Sequence, residues 1–552
     1  MNSRTLPLAI FLVGLLVCLA GNAQHALWDR DEPRYGVATR EMLETGDWII
    51  PHFNGETRYD KPILIYWLMA GPMSLFGIGE FGARFVSGVM GALRALLVFY
   101  FARRIGCGER GALLAAALAL FVPLLLVISK AATIDSTLIL AITGVQWLLW
   151  ESGDRPFSWR RHLALWALLG VTVLLKGPPG PLIAALTWLS LATWNAVSPI
   201  ASQAPRASPT DRVLRAAVGI VAFLAVTMIW VAPAWIRTNG DFIMTSINRH
   251  VVERAKTSLE GHSGPFFYYI PVLIVTALPF TGVLLAGAAW AARNTRERTV
   301  RFLWCWIVPA VIVFSLVKTK LPHYVAPMVP AFCLMAGLWW TRFVEEGNAA
   351  LRPRPWVVAS GGWLAVVAGF AALGIPLGAS VMGFGLNPIV TMAAGGIMGL
   401  GFCWGGVLWL QGEWHGALAK WFGGWLATLA IAFFLVLPEL DAIRVSKPTG
   451  VWVRENAPPG AYHMMSDFDE PTMVFYARNR FRTMGKREWP EVFAKLNDLQ
   501  TPAVLVITQT RWNNFLRDYQ GPIDPRVGVR RRIDGFQIES GGPETVLIVG
   551  NW

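Results

Sequence analysis

Residues 82–104 read GARFVSGVMGALRALLVFYFARR, an almost unbroken apolar run that ends in two arginines. A run of about 20 mostly apolar residues is long enough to cross the hydrocarbon layer of a bilayer as a helix. The stretch therefore predicts a membrane-spanning helix. Further runs of this kind lie at residues 6–24, 111–129, 134–151, 161–175, 178–196, 213–235, 266–292, 301–317, 322–343, 356–382, 388–410 and 420–438.

The composition agrees with a membrane protein. Of the 552 residues, 54% are hydrophobic and 15% are charged, whereas soluble proteins have about 25% charged residues. The five cysteines are scattered without a CxxC pair, which indicates neither a disulfide framework nor a zinc knuckle. The predicted fold is a polytopic α-helical membrane protein with about thirteen transmembrane helices. Disordered, collagen-like and coiled-coil classes are excluded.

Basic residues are distributed unevenly over the connections between these runs. Alternate connections carry clusters of arginine. Of the connections between them, most of the short ones hold only one or two lysines. Cytoplasmic connections are the ones enriched in Lys and Arg, so the N-terminus is predicted to be cytoplasmic and the C-terminus to lie outside. Most of the net charge of +13 is then topological and indicates no nucleic-acid partner. Residues 6–20 also suit a cleaved signal peptide, but the length of the run favours a retained span.

Two domains are predicted from the change in composition near residue 438. Residues 1–438 form the transmembrane domain, with long non-cytoplasmic loops at 25–81 and 236–265, and residues 439–552 form a small α/β domain on the same face. Amphipathic stretches at 35–43 and 63–76 are typical of helices that lie in the membrane interface. In the tail we predict strands at 462–466, 481–484, 503–508 and 545–549, and helices at 472–478, 491–499 and 512–519.

Acidic residues on the non-cytoplasmic side are informative because topology does not require them. The first long loop begins with WDRDEPRYG at residues 28–36, where carboxylates and arginines directly follow a span. This cluster is either a solvated turn or an acid–base or sugar-binding site at the mouth of a cavity. Asp135 begins a span, where a carboxylate also simply favours the positive end of the helix.

Lysines on this side are also unexpected. Lys318 and Lys320 lie where positive charge is disfavoured. Either they reach back to the headgroup region, or together with Lys61 and Arg254 they bind the phosphate of a lipid-linked substrate.

Motifs for other chemistries are missing from the sequence. It has no phosphate-binding loop of the NTPase type, no dinucleotide fingerprint and no nucleophile elbow. The histidines on the non-cytoplasmic side fit no metal-binding motif. No cofactor is therefore predicted with certainty, and a divalent metal remains an open alternative. These histidines are His250, His262 and His323.

These residues together resemble the membrane glycosyltransferases of the GT-C superfamily, which includes the protein O-mannosyltransferases, and most closely the bacterial lipid A aminoarabinose transferases. The family usually has Glu-Lys-Pro where this chain has Asp60-Lys61-Pro62. The resemblance rests on Asp31-Glu32-Pro33-Arg34-Tyr35 and Tyr59-Asp60-Lys61-Pro62 in the first loop, on Lys176-Gly177, on Lys320-Leu321-Pro322-His323-Tyr324, and on the tail stretch 470–476.

The resemblance implies a glycosyltransferase of the bacterial inner membrane. Its donor would be an undecaprenyl-phosphate-linked sugar, 4-amino-4-deoxy-L-arabinose, and its acceptor the phosphate groups of lipid A, a modification that gives resistance to polymyxin. The key carboxylates of the family correspond to Asp31 and Asp135. Residues that bind the lipid phosphate or line the cavity correspond to Arg34, Tyr59, Lys61, Arg254, Lys318 and Tyr324.

Two other functions remain open from the sequence. One is a transferase of the same fold that uses another polyprenyl-phosphate sugar and a protein or glycan hydroxyl, in which case Asp31 acts as a general base. The other is a transporter or flippase for a lipid-linked sugar, which would need repeated halves and polar residues near the bilayer midplane. The chain shows no matching halves, and most of its ionisable residues lie at the ends of the spans.

Overall fold

The computed structural model describes residues 5–28, 30–200, 208–248, 263–381, 386–519, 521–537 and 541–552. Up to residue 443 these residues are mainly helical. The first helices and a short hairpin are α1 (Thr5–Leu19), α2 (Asp31–Thr45), β1 (His52–Phe53), β2 (Glu56–Thr57), α3 (Leu64–Phe76), α4 (Glu80–Arg104), α5 (Glu109–Phe121), α6 (Pro123–Lys130), α7 (Asp135–Asp154), α8 (Trp159–Lys176) and α9 (Pro179–Val197).

The second half of the helical part contains several helices that are broken by short 3-10 or π turns. A 3-10 helix at Pro322–Met328 leads directly into one of them. These helices are α10 (Pro209–Thr238), α11 (Asp241–Ile247), α12 (Tyr269–Val275), α13 (Thr281–Arg293), α14 (Arg298–Leu316), α15 (Val329–Trp340), α16 (Pro355–Leu373), α17 (Ile375–Val381), α18 (Pro388–Gln411), α19 (Trp414–Ile431) and α20 (Leu437–Ile443).

Every predicted span contains helical residues, but not every one forms a helix that is long and apolar enough to cross a membrane. Among the described residues, eight helices are long and apolar enough to span a membrane, or nine if one bent pair is counted as a single span. The other predicted spans are shorter, broken or more polar, and residue 382 lies outside the described residues. A multi-pass helical membrane protein is thus confirmed, while the count of thirteen remains a prediction. The predicted interfacial stretches both lie in helices, α2 and α3.

The bent pair has an identifiable physical cause. Helices α5 and α6 meet at an angle of 56°, and Pro123 at the break lacks the N–H that the carbonyl of Ala119 would otherwise accept. The buried guanidinium of Arg94 replaces it, since its Nη2 donates to the Ala119 oxygen at 2.9 Å and to the Leu125 oxygen at 3.2 Å. The carbonyl that loses its helical partner at the bend is therefore hydrogen-bonded inside the protein. The chain then leaves α6 in position to begin α7 at Asp135.

The tail folds around a sheet of five strands. Its strand order is β4-β3-β5-β7-β6, with β4, β3 and β5 parallel and the last two pairs antiparallel. One side of the sheet has its own apolar core, which includes Leu505, Trp512 and Phe515. The elements are α21 (Ser446–Asn456), β3 (Tyr462–Ser466), α22 (Pro471–Ala477), β4 (Arg482–Thr483), α23 (Trp489–Asn497), β5 (Ala503–Thr508), α24 (Gln509–Asp518), β6 (Gly528–Gln537) and β7 (Gly542–Gly550).

The tail prediction holds for seven elements and misses helix α21 and strand β6. The four predicted strands and three predicted helices are all present within a few residues of their predicted bounds. Strand β6 contains three successive arginines and lies at the edge of the sheet with half of its residues exposed, so it lacks the apolar alternation that marks a strand. The domain boundary at 438/439 remains a prediction.

The tail packs on the first long loop. The guanidinium of Arg40 in α2 is 1% exposed, and its Nη1 donates to the backbone oxygens of Val474 and Phe475 at 3.3 Å each. The hydroxyl of Tyr476 accepts from the backbone N–H of Leu27 at 3.1 Å. The tail stretch that carries the family resemblance therefore supports the loop that presents Asp31.

Candidate active site

Several helix ends meet on the predicted non-cytoplasmic side, and they carry charged side chains. Asp31 is the first residue of α2, and Asp135 is the first residue of α7. Lys176 is the last residue of α8. A carboxylate at a helix N-terminus and a cation at a C-terminus both match the partial charges of the helix ends, so the local structure favours each charge where it lies.

Asp135 and Lys176 form an ion pair at the centre of this region. The Lys176 Nζ donates to Asp135 Oδ1, and the two side chains are 15% and 16% exposed. The same ammonium lies 5.9 Å from the centroid of the Tyr324 ring. Gly177 follows with φ +76° and ψ −128°, a conformation that only glycine adopts without strain. This conformation explains the Lys-Gly motif, because the glycine allows the chain to turn directly after Lys176.

Lys61, His323 and Asp31 complete the group, which we call the carboxylate–cation cluster. Asp135 interacts electrostatically with His323 and Lys61 as well as with Lys176. His323 in turn interacts with Asp31 and Lys61. The structure therefore brings together two carboxylates, two lysines and a histidine that are up to about three hundred positions apart in sequence.

Tyr35 lies against the cluster from the side of α2. Burial, followed by the charges of Tyr66, Asp31 and Asp135, raises the pKa of Tyr35 well above its usual value. Its hydroxyl consequently stays protonated near neutral pH and is a donor near the two carboxylates.

The remaining predicted site residues are placed in different ways. Arg34 is half-buried one helical turn after Asp31, so the two residues are neighbours on the same face of α2. Tyr324 joins the cluster through its ring contact with Lys176. Lys318 is exposed. Arg254 lies outside the described residues, as do the two histidines at positions 250 and 262.

Tyr59 is directed toward another element. Its hydroxyl donates to Asp241 Oδ2 at 2.9 Å, and its ring lies 5.4 Å from the ring of Phe242. This hydrogen bond raises the pKa of Tyr59 above its ordinary value. The tyrosine thus fixes the first loop to helix α11, and the structure shows no direct contact between its hydroxyl and the cluster among the described residues.

Glu32 is adjacent to Asp31, but its contacts give it a structural role. It is 3% exposed, and its oxygens accept from Arg84 at 2.6 and 2.9 Å. The backbone N–H groups of Trp28 and Ala132 donate to the same carboxylate. Burial alone would raise the pKa of Glu32, but the charge and hydrogen bonds of Arg84 hold it below its usual range. Glu32 therefore fastens the first loop to α4 and to the turn before Asp135.

Three residues of the site were not among the predicted site residues. Lys176 and His323 lie inside the quoted motifs, so the motifs themselves were the available signal. Arg58 gave no such signal. It is 6% exposed, pairs with Asp60 at 3.2 Å, and lies 5.4 Å from the centroid of the Tyr35 ring, contacts that only the tertiary structure creates.

A metal site is not evident in the described parts of the chain. Within residues 5–28, 30–200, 208–248, 263–381, 386–519, 521–537 and 541–552, no three His, Cys, Asp or Glu side chains are grouped so that they could hold an ion.

Comparisons with known proteins point to one kind of relative. Residues 8–249 match the family model described as dolichyl-phosphate-mannose-protein mannosyltransferase. An undecaprenyl phosphate-alpha-4-amino-4-deoxy-L-arabinose arabinosyl transferase of Edwardsiella ictaluri is 31% identical over 384 residues, which is 66% of this chain and 65% of the relative. The enzyme of the same name from Pseudomonas aeruginosa is 30% identical over 354 residues, 63% of this chain and 62% of the relative. These transferases are homologues of this chain.

The solved structures agree with that relationship at the level of the fold. The crystal structure of ArnT from Cupriavidus metallidurans bound to undecaprenyl phosphate has a TM-score of 0.77 and 22% identity, and the match covers 100% of this chain and 99% of that one. Its apo form gives a TM-score of 0.76. The predicted polytopic helical fold and the predicted similarity to the aminoarabinose transferases are thus confirmed. The matches to the two curated homologues span somewhat less than two thirds of their lengths.

The homologous region contains most of the cluster. Asp31, Lys61, Asp135 and Lys176 all lie within residues 8–249. His323 lies beyond it, on the 3-10 helix at Pro322–Met328.

Proposed function

We propose that this protein is a glycosyltransferase that moves 4-amino-4-deoxy-L-arabinose from undecaprenyl phosphate to phosphate groups of lipid A. In this proposal it lies in the bacterial inner membrane, with the N-terminus in the cytoplasm and the tail domain in the periplasm. The arginine pattern of the connections supports that orientation, and the homologues supply the class of donor through their names.

The observation that carries the proposal is the arrangement of charge in the carboxylate–cation cluster. Cleavage of a sugar–phosphate bond builds positive charge on the anomeric carbon and negative charge on the departing phosphate. Fixed carboxylates close to the sugar stabilise the first, and fixed cations close to the phosphate stabilise the second. Asp31 and Asp135 lie within electrostatic range of His323, and Lys61 and Lys176 act on the same group.

The two carboxylates have different surroundings, which suggests different roles. Asp31 is exposed at the start of α2, so it is available to a sugar and its amino group. Asp135 is held by Lys176, so it orients that ammonium while it adds negative charge beside the sugar. Lys61, together with Arg34, Lys318 and Arg254, would bind the phosphate of the donor, and Tyr324 would line the cavity through its contact with Lys176. Tyr59 would position the loop that carries Lys61, through its hydrogen bond to Asp241.

The acceptor determines whether a base is needed. A lipid A phosphate is already anionic, so it attacks without giving up a proton, and the carboxylates then act by orientation and electrostatics. A hydroxyl acceptor would require one carboxylate to take a proton. The match of residues 8–249 to the mannosyltransferase family favours keeping this second candidate, a transferase with a protein or glycan hydroxyl acceptor.

Mass spectrometry of lipid A tests the proposal. A host strain that lacks its own transferase but makes the donor should gain aminoarabinose on lipid A when it expresses the wild-type chain. Asp31→Asn and Lys61→Ala should abolish that mass increase at equal protein levels. Glu44→Gln and Lys486→Ala are matched controls, since both side chains are exposed and lie outside the cluster, and they should modify lipid A normally.

The outcome separates the two candidates. If lipid A stays unmodified by the wild-type protein while a glycan or protein acquires a sugar, the hydroxyl acceptor replaces lipid A. If Asp31→Asn and Lys61→Ala are fully active, the cluster is not the active site.

A further inference from the structure

A cavity lies at the end of the helices opposite the carboxylate–cation cluster, on the side that the arginine pattern predicts to be cytoplasmic. It has a volume of about 140 Å³, room for about four or five water-sized groups. Its walls come from the end of α13, from α15 and from the segment that leads into α16. The side chains that define it are Trp290, Arg293, Asn294, Trp339, Arg352 and Arg354.

Three arginines line this cavity without a matching negative charge. Arg293, Arg352 and Arg354 come from two different connections and converge on one space. In the described parts of the chain, no carboxylate forms an ion pair with any of them, whereas the nearby Arg342 is paired with Glu297 at 3.1 Å. The positive-inside rule accounts for arginines on this side but gives no reason for three of them to surround one cavity.

A buried donor without a partner lies in the same wall. Trp290 is 4% exposed, and within the described residues its indole Nε1 has no hydrogen-bond partner. The Nε1 atom itself is inaccessible to solvent, so Trp290 contributes its ring, and not its N–H, to the wall of the cavity. The indole of Trp339, by comparison, donates to the backbone oxygen of Leu351 at 3.4 Å.

The position of the cavity indicates where its ligand comes from. Two residues after Arg354, Trp356 is 56% exposed at the start of the apolar helix α16. Exposed tryptophans at the ends of spans are typical of the headgroup level of a bilayer. The cavity therefore lies where the phosphates of phospholipid headgroups are found, and basic pockets between spans on the cytoplasmic side suit anionic headgroups.

We infer that Arg293, Arg352 and Arg354 form a binding site for the phosphate of an anionic phospholipid of the cytoplasmic leaflet. Arginine forks bind phosphate oxygens bidentately, and the ring of Trp290 forms part of the wall beside them. The site is separate from the carboxylate–cation cluster, since the two groups of residues lie at opposite ends of the spans. Its ligand is a membrane lipid that is neither donor nor acceptor in the proposed reaction.

Native mass spectrometry of the purified full-length protein tests this inference. The protein is titrated with short-chain phosphatidylglycerol, with phosphatidylcholine, and with phosphatidylglycerol in the presence of millimolar inorganic phosphate. Wild-type protein should bind phosphatidylglycerol more tightly than phosphatidylcholine. Arg293→Gln should weaken phosphatidylglycerol binding about 10-fold, and Arg352→Gln/Arg354→Gln should weaken it further.

Arg296→Gln is the matched control. Arg296 lies in the same connection as Arg293, carries the same charge and is likewise exposed, but it does not line the cavity. The control should bind phosphatidylglycerol like the wild type, which separates a defined site from a general effect of charge. Equal binding by Arg293→Gln and Arg296→Gln would overturn the inference. Complete displacement of the lipid by inorganic phosphate would also overturn it, in favour of a site for the free ion.

Discussion

Two ion pairs on the same side of the molecule, Glu32–Arg84 and Asp135–Lys176, are built in opposite ways. In the first, both side chains are nearly inaccessible, and backbone groups satisfy the remaining atoms of carboxylate and guanidinium alike. In the second, both side chains keep about 15% exposure, and further charged groups surround the pair.

The difference shows how a structural ion pair can be distinguished from a functional one in this chain. A buried pair with every atom satisfied has nothing left to offer a substrate, and its net contribution to stability is small even though its disruption is costly. A partly exposed pair surrounded by additional cations retains uncompensated charge that a ligand can use. Each of the following predictions tests one side of this contrast.

The largest effect is expected from removal of one partner of the buried pair. Arg84→Met leaves the carboxylate of Glu32 buried without its cation, which should lower the free energy of unfolding by about 3–5 kcal/mol. The measurement is the unfolding temperature of the purified protein in detergent, followed by tryptophan fluorescence. Arg103→Met, an exposed arginine on the same helix, should leave that temperature nearly unchanged. Equal stability of both variants would contradict a structural role for the pair.

The next effect belongs to catalysis. Asp135→Asn removes the charge at the start of α7 and keeps its shape, so the rate of sugar transfer should fall about 100-fold or more. The loss of its ion pair with Lys176 should lower the free energy of unfolding by only about 1–2 kcal/mol. The rate is measured with purified protein, donor and lipid A. A variant that loses stability and activity in the same proportion would assign Asp135 to the structural class instead.

Lys176→Met is intermediate between these two. Because the pair is partly exposed, the cost in unfolding free energy should be about 1–2 kcal/mol, between the values for surface and buried pairs. Transfer should nevertheless fall about 10-fold, since a cation next to the proposed phosphate site is lost. Lys176→Arg should recover part of the activity. If Lys176→Met is destabilised as strongly as Arg84→Met, the contrast between the two pairs is wrong.

Much of the fold was predictable because hydropathy and periodicity are local signals. The apolar runs located the long helices of the membrane part, and short apolar runs located the buried tail strands such as β5, in which all six residues are buried. The short helix α11 lies between two apolar runs and was not located. Strand β6 escaped because its arginines face solvent at a sheet edge, where burial imposes no pattern. The bend after Phe121 was also hidden, since the arginine that satisfies it lies in another helix.

The candidate site was predictable only as far as its motifs reach. Asp31 and Glu32 are adjacent and chemically similar, yet one is exposed and the other is buried against Arg84. Nothing in the sequence links Glu32 to an arginine 52 positions later inside an apolar run. Lys176 is a comparable case, because its importance comes from Asp135, 41 residues earlier. Partner choice is a tertiary property, so the motifs could not identify the partner of each residue.

The smallest expected effect is a pH dependence of the unfolding temperature that arises from His25, which lies beside the buried Glu32–Arg84 pair. Burial and the neighbouring charge of Arg84 lower the pKa of His25 from 6.5 to about 4. The unfolded chain therefore binds a proton between these values that the folded chain does not, so His25 contributes stability above pH 6.5 that is lost as the pH falls toward 4. Between pH 7 and pH 5 this loss should be about 1–2 kcal/mol. The unfolding temperature of the wild type should fall over that interval, and that of His25→Asn should fall less. Identical pH profiles for the two proteins would show that the acid sensitivity of the fold arises elsewhere, and that protonation of His25 does not affect the Glu32–Arg84 pair.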